Sequence, residues 1–192
     1  MCQKFLAAIS LFLFFGMVGA DNDVLWSSTE VILENQYPGE WRLERNTVPS
    51  FTTDCDRVEM AGGWKFLNKD DRESNERIKY GDEVLIENQY GENWYLERDT
   101  DPKFTSYESR IANNAAVWKI IPASEHGNDS ILGDYVGLYD YILIQNQYGE
   151  KWYLQRHVVP KFTTPENEEE RIANKAAVWM LLEQDSIYGG CA

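Results

Sequence analysis

The chain has 192 residues with 18 Lys+Arg against 32 Asp+Glu, a formal net charge of −14, and carries only two histidines and three cysteines. An acidic field of that size repels phosphate backbones and sulfated polyanions, which excludes nucleic acid and heparin-like glycans as partners. No nucleophile motif, phosphate loop or His/Cys metal cluster is present, so the sequence predicts a non-enzymatic protein without a cofactor.

Residues 1–20 open with Lys4 as the one positive charge and run apolar from Phe5 to Val18. They end on the small residues Gly19 and Ala20 before the polar Asp21. A basic start, a short apolar centre and a small-residue end describe a cleaved signal peptide. The product is therefore expected outside the cell, with residues 21–192 as one domain. No later segment is long and apolar enough to span a bilayer as a helix.

The remainder is a repeat. Val31-Ile32-Leu33-Glu34-Asn35-Gln36-Tyr37 returns as Val84-Leu85-Ile86-Glu87-Asn88-Gln89-Tyr90 and as Ile142-Leu143-Ile144-Gln145-Asn146-Gln147-Tyr148. A second block follows each copy, containing Trp41-Arg42-Leu43, Trp94-Tyr95-Leu96 and Trp152-Tyr153-Leu154. A third contains Trp64-Lys65-Phe66, Trp118-Lys119-Ile120 and Trp179-Met180-Leu181. Short runs rich in β-branched and aromatic residues, bounded by Gly, Pro, Asn and Asp, predict strands joined by turns. Tyr90-Gly91-Glu92-Asn93 and its copies read as hairpin connections. The Pro-x-Phe-Thr segments at Pro49, Pro102 and Pro160 read as polar connections, and Arg110–Ala116 with its copy Arg171–Ala177 as a loop or single turn.

A fourth strand is expected around Ile78 and Val136, and the N-terminal segment 24–27 supplies it for the last unit. The fold class is thus all-β: a β-trefoil of three four-strand repeats, with the N-terminal strand closing the third. The repeats span about 30–82, 83–140, and 141–192 plus 24–27. The pattern Gly81-Asp82-x-Val84-x-Ile86-x-Asn88, then Tyr-Leu, then Val-Trp-x-Ile, resembles the ricin-B-like and related trefoil families over Val24 to about Asp185. Ricin-type units place a Gln two residues before the third-block Trp, where this chain has Gly62, Ala116 and Ala177. The resemblance therefore implies a trefoil of a sugar-binding class without assigning its sugar-binding residues.

The candidate ligand residues come instead from the recurring triplet: Asn88, Gln89 and Tyr90; Asn146, Gln147 and Tyr148; and Asn35, Gln36 and Tyr37. Amide donors and acceptors beside an aromatic face can grip sugar hydroxyls and stack on a sugar ring. The structural alternative is that Asn caps the turn and Tyr packs under the hairpin. The second and third copies are the stronger candidates, because the first unit lacks the Ile-Ala-Asn run. Most of the recurring tryptophans are expected in the core. Arg45, Arg98 and Arg156, and the later Arg57, Arg110 and Arg171, are expected in ion pairs. The acidic runs 69–73 and 166–170 offer oxygens for weak Ca²⁺ or mineral-surface binding without EF-hand spacing.

Cys2 leaves with the leader, so Cys55 and Cys191 remain. An oxidising compartment favours a bridge between them, with an intermolecular bridge or two free thiols as alternatives. An internal bridge would close a loop of about 135 residues, worth on the order of 4–5 kcal/mol. Asn128-Asp129-Ser130 is a glycosylation sequon. The function expected is lectin-like carbohydrate binding. Two alternatives are an acidic structural protein of an extracellular or mineralised (shell or skeletal) matrix, and a loop-based protease inhibitor.

Overall fold

A computed structural model describes residues 24–91, 93–123, 133–150, 152–163 and 166–184. The architecture is all-β, with twelve strands in one sheet system and three short helices among the described residues. In chain order the first unit carries β1 (Val31–Asn35), β2 (Trp41–Arg45), β3 (Pro49–Thr52), α1 (Cys55–Ala61) and β4 (Gly63–Asn68). The second carries β5 (Glu83–Asn88), β6 (Tyr95–Arg98), β7 (Pro102–Thr105), α2 (Glu108–Ala112) and β8 (Val117–Pro122). The third carries β9 (Tyr141–Asn146), β10 (Trp152–Arg156), β11 (Pro160–Phe162), α3 (Glu168–Ala173) and β12 (Trp179–Glu183).

Six strands close on themselves. β1 pairs with β4 and β12, β5 with β4 and β8, and β9 with β8 and β12, all antiparallel. Closure removes the exposed edges that make open sheets prone to pairing with other chains. The other six strands form the hairpins β2–β3, β6–β7 and β10–β11, whose third-position strands meet one another.

The core follows from the period of two along the barrel strands. Val31, Leu33, Val84, Ile86, Ile142 and Ile144 are fully buried in the main cluster with Trp64, Trp118 and Trp179. Each of these tryptophans donates its indole N–H to a carbonyl of its own hairpin: Trp64 to Leu43 at 3.0 Å, Trp118 to Leu96 at 2.9 Å, Trp179 to Leu154 at 2.9 Å. Each also stacks on a phenylalanine from another unit, Trp64 on Phe104, Trp118 on Phe162 and Trp179 on Phe51, with centroids 6.0–6.1 Å apart. The indole thus fills volume and satisfies its one donor in a dry interior, while linking unit to unit.

Two features depart from the sequence expectation. The Pro-x-Phe-Thr segments are strands β3, β7 and β11. Proline begins each one, where it opposes the last arginine of the preceding strand and its missing N–H costs the ladder least. Conversely, 24–27 and the segments around Ile78 and Val136 are not strands. They make only the isolated bridges Val24↔Gly137, Trp26↔Arg77 and Lys79↔Tyr135. The reason is geometric, since three segments converge on one point. Leu25 N–H donates to Val136 O (2.8 Å), Val136 N–H to Ile78 O (2.9 Å) and Ile78 N–H to Leu25 O (2.9 Å), a closed ring of hydrogen bonds. Beyond the ring the pairing runs on only briefly, through Ser27 N–H to Glu76 O (2.8 Å), Tyr80 N–H to Asp134 O (2.9 Å) and Gly133 N–H to Tyr80 O (2.9 Å), too short for regular strands.

Candidate functional site

The recurring triplet is split by the fold. Asn35, Asn88 and Asn146 are buried, and each spends its amide internally. Asn35 Nδ2 donates to the carbonyls of Ala176 and Val178, Asn88 to those of Ala61 and Gly63, and Asn146 to those of Ala115 and Val117, all at 3.0–3.1 Å. Each Oδ1 accepts the backbone N–H of its own tyrosine, Tyr37, Tyr90 or Tyr148, at 2.9–3.0 Å. No donor is left for a ligand, so the three asparagines are corrected from ligand candidates to fasteners between units.

The tyrosines are partly exposed, but each lies beneath an arginine of another unit. Arg45 sits over Tyr90 and Trp94, Arg98 over Tyr148 and Trp152, and Arg156 over Tyr37 and Trp41. These arginines hold aromatic rings by cation–π contact rather than the ion pairs expected from sequence. The later arginines do pair: Arg57 with Glu44 at 2.9 Å and Arg110 with Glu97, while Arg171 bonds Gln155 instead. Gln89 borders a shallow polar depression with Glu87 and Asn93, and Gln147 turns back onto Gln145. Among the described residues no group of three or more His, Cys, Asp or Glu side chains could hold a metal ion. Cys55 opens α1, whereas Cys191 and Asn128 lie outside the described residues.

Gln36, from the copy ranked below the other two by sequence, borders a cleft of about 480 Å³ where the units meet. Its walls are largely apolar, from Pro122, Ala123, Ile172, Ala173 and Val178. Tyr80, Tyr139, Asp140, Tyr141 and Lys175 complete it. The volume lies in the range of small-molecule sites, about 300–1,000 Å³.

Register explains why the cleft opens here. Tyr141 and Ala123 occupy the positions that Glu83 and Lys69 hold one unit earlier. There the Lys69 ammonium bonds Glu83 Oε2 at 2.6 Å. That bond holds the Glu83 carboxyl below its usual range and raises the Lys69 ammonium. In the first unit the position of Tyr141 is Glu30, lying so close over Gly63 that a Cβ there would come within 2.0 Å of its Oε1. Charged groups occupy both related places, and among the described residues the third is open and lined with tyrosine.

Two lining residues are strained. Tyr139 has φ +68° where its counterpart is Gly81, at φ +89°. Lys175 has φ +64° where its counterpart is Asn114, at φ +65°. Glycine and asparagine visit the left-handed region at little cost, while other side chains lose about 1–2 kcal/mol there. Asp140 is held by two hydrogen bonds: its Oδ2 accepts the Tyr80 hydroxyl at 2.6 Å and the Gly137 N–H at 2.7 Å. Burial, then the Asp140 carboxylate, holds the Tyr80 phenol far above the usual tyrosine range, so it remains a donor. Asp140 Oδ1, Gln36 Oε1 and the Lys175 ammonium make no hydrogen bond among the described residues. Sequence reasoning missed Tyr139, Asp140, Tyr141 and Lys175 because it followed what repeats, whereas these residues stand out by what does not.

No family model and no curated protein matches the sequence. Solved structures do match its shape. A Caenorhabditis elegans structural-genomics protein of unknown function is similar over 86% of this chain and 99% of its own, at 13% identity and TM-score 0.59. The SDF2-like protein from Arabidopsis thaliana is similar over 83% of this chain and 95% of its own, at 11% identity and TM-score 0.61. The botulinum neurotoxin serotype D ligand binding domain, solved in complex with N-acetylneuraminic acid, is similar over 84% of this chain, at 13% identity and TM-score 0.58. The match covers 44% of that botulinum domain, so this chain spans less than half its length. At these identities the likeness is one of fold.

Proposed function

We propose that the twelve strands form a β-trefoil of three four-strand units, and that the protein is a secreted, non-enzymatic module binding carbohydrate in the cleft of Tyr139, Asp140 and Tyr141. The observation that carries this reading is the pair of left-handed residues, Tyr139 and Lys175, lining one open cleft where related positions hold Gly81 and Asn114. Backbone strain of this kind persists where a site needs particular side chains. A sugar ring presents a C–H face and directional hydroxyls. Tyrosine rings suit the first, and Asp140 Oδ1, Gln36 and Lys175 suit the second. The complex of a similarly folded botulinum domain with N-acetylneuraminic acid adds support at the level of fold.

The test is a glycan array probed with the wild-type protein and with Tyr141→Ala. Binding of defined glycans by the wild type and its loss in the variant is expected. An array silent for the wild type, or unchanged by the substitution, would overturn the assignment.

A further inference from the structure

Resting on the carbohydrate reading, we infer that this cleft selects sugars bearing an N-acetyl group over their unacetylated parents. The composition of the walls carries the inference. A plain hexose offers hydroxyls around its rim and needs apolar surface only beneath one face. Here the apolar surface is not confined to the tyrosine rings, because Ile172, Ala173 and Val178 add an aliphatic wall beside Gln36. Such a wall gains nothing from a hydroxyl and leaves it without a partner, whereas a methyl group transfers there from water favourably.

Gln36 supplies the complement to the acetamide N–H. Its backbone N–H is committed to Val178 O at 3.0 Å, which fixes the residue against the wall. Its side-chain Nε2 makes only a long contact to Glu34 O at 3.5 Å, and its Oε1 accepts nothing among the described residues. The acetamide of an N-acetyl sugar is trans, so its N–H and C=O point in opposite directions and one side chain meets one of them: Gln36 Oε1 is placed to accept the acetamide N–H. An aliphatic wall for the methyl and an acceptor for the N–H are two demands of an N-acetyl group, and they are met side by side. Asp140 Oδ1 and Lys175 remain for ring hydroxyls. Gln89 and Gln147 make somewhat shorter contacts of the same kind, to Glu87 Oε2 at 3.3 Å and to Gln145 O at 3.2 Å, and neither borders the aliphatic wall.

The experiment is calorimetric titration of the full-length mature protein with three matched pairs of methyl glycosides: N-acetylglucosamine and glucose, N-acetylgalactosamine and galactose, N-acetylmannosamine and mannose. In at least one pair the acetylated member is expected to bind about tenfold tighter, from one buried methyl and a paired amide N–H. Gln36→Leu, checked for an unchanged melting transition, is expected to erase most of that difference. Equal affinity within every pair that binds would overturn N-acetyl selection and leave the carbohydrate reading standing. A preference that survives Gln36→Leu would overturn the role of Gln36. Binding by none of the six would overturn both the selection and the reading on which it rests.

Discussion

The guanidinium carbon of Arg98 lies 3.7 Å from the ring centroid of Trp152, in the next unit along the chain. The same group donates to the carbonyls of Tyr148 and Glu150, so one side chain clamps a neighbouring hairpin by both its face and its edge. Arg45 on Trp94 (4.8 Å) and Arg156 on Trp41 (4.7 Å) make the corresponding contacts. Desolvation lowers the pKa of Arg98, yet the group stays charged at any ordinary pH.

Arg98→Ala should therefore lower stability by about 2 kcal/mol, combining a partly desolvated cation–π contact with lost hydrogen bonds to two carbonyls. Arg98→Lys should recover less than half of that, because an ammonium cannot stack flat and reach both carbonyls. Urea unfolding followed by tryptophan fluorescence measures both.

Removal of a buried asparagine should cost more. Asn146→Ala removes one of the two hydrogen bonds at each of the Ala115 and Val117 carbonyls, which keep the backbone N–H groups of Arg98 and Gln147, and strands the N–H of Tyr148, an expected loss of about 3 kcal/mol. Saccharide affinity of the remaining folded protein should be unchanged, which separates the fastening role from the ligand role first suggested by the sequence.

The strands and their core were legible because short blocks rich in β-branched and aromatic residues, bounded by Gly, Pro, Asn or Asp, recur three times. Two errors had physical causes. Pro-x-Phe-Thr looked like a connection because Pro and flanking Ser, Lys and Asp hide a strand whose apolar content is one phenylalanine. The segments at Leu25, Ile78 and Val136 looked like strands because an apolar residue recurs at the same place before each repeat, but those residues are buried by meeting at a point rather than by pairing along a line. The site was readable only by subtraction. Tyr141 stands where Glu30 and Glu83 stand, and Lys175 where Asn114 does, but the left-handed backbone that gives those changes meaning is invisible in one-letter form.

Lys175→Asn should raise stability by about 1 kcal/mol by relieving a left-handed lysine, and should weaken saccharide binding. Gain of stability with loss of affinity is the signature expected of a strained binding residue. The pair of effects is read from a urea midpoint and a titration on one preparation.

The Lys69–Glu83 pair gives a pH prediction. Glu83 is depressed by its Lys69 hydrogen bond, so its contribution exists above the ordinary carboxylate pKa and fades as pH falls through the lowered one. Lys69 is raised, so its contribution is lost only as pH rises past the ordinary lysine range. Both side chains are partly exposed, and screening limits the pair to about 0.5 kcal/mol at neutral pH. Lys69→Met should therefore be slightly less stable than wild type at pH 7 and indistinguishable from it near pH 3, by denaturant unfolding at each pH.

The most direct test of the cleft as the ligand site is amide chemical-shift mapping of the labelled protein during saccharide titration. Saturable shifts are expected at Gln36, at 139–141 and at Lys175, with the hairpin tyrosines Tyr37, Tyr90 and Tyr148 little moved. Saturable shifts centred on those three tyrosines instead, with 139–141 unaffected, would contradict the assignment.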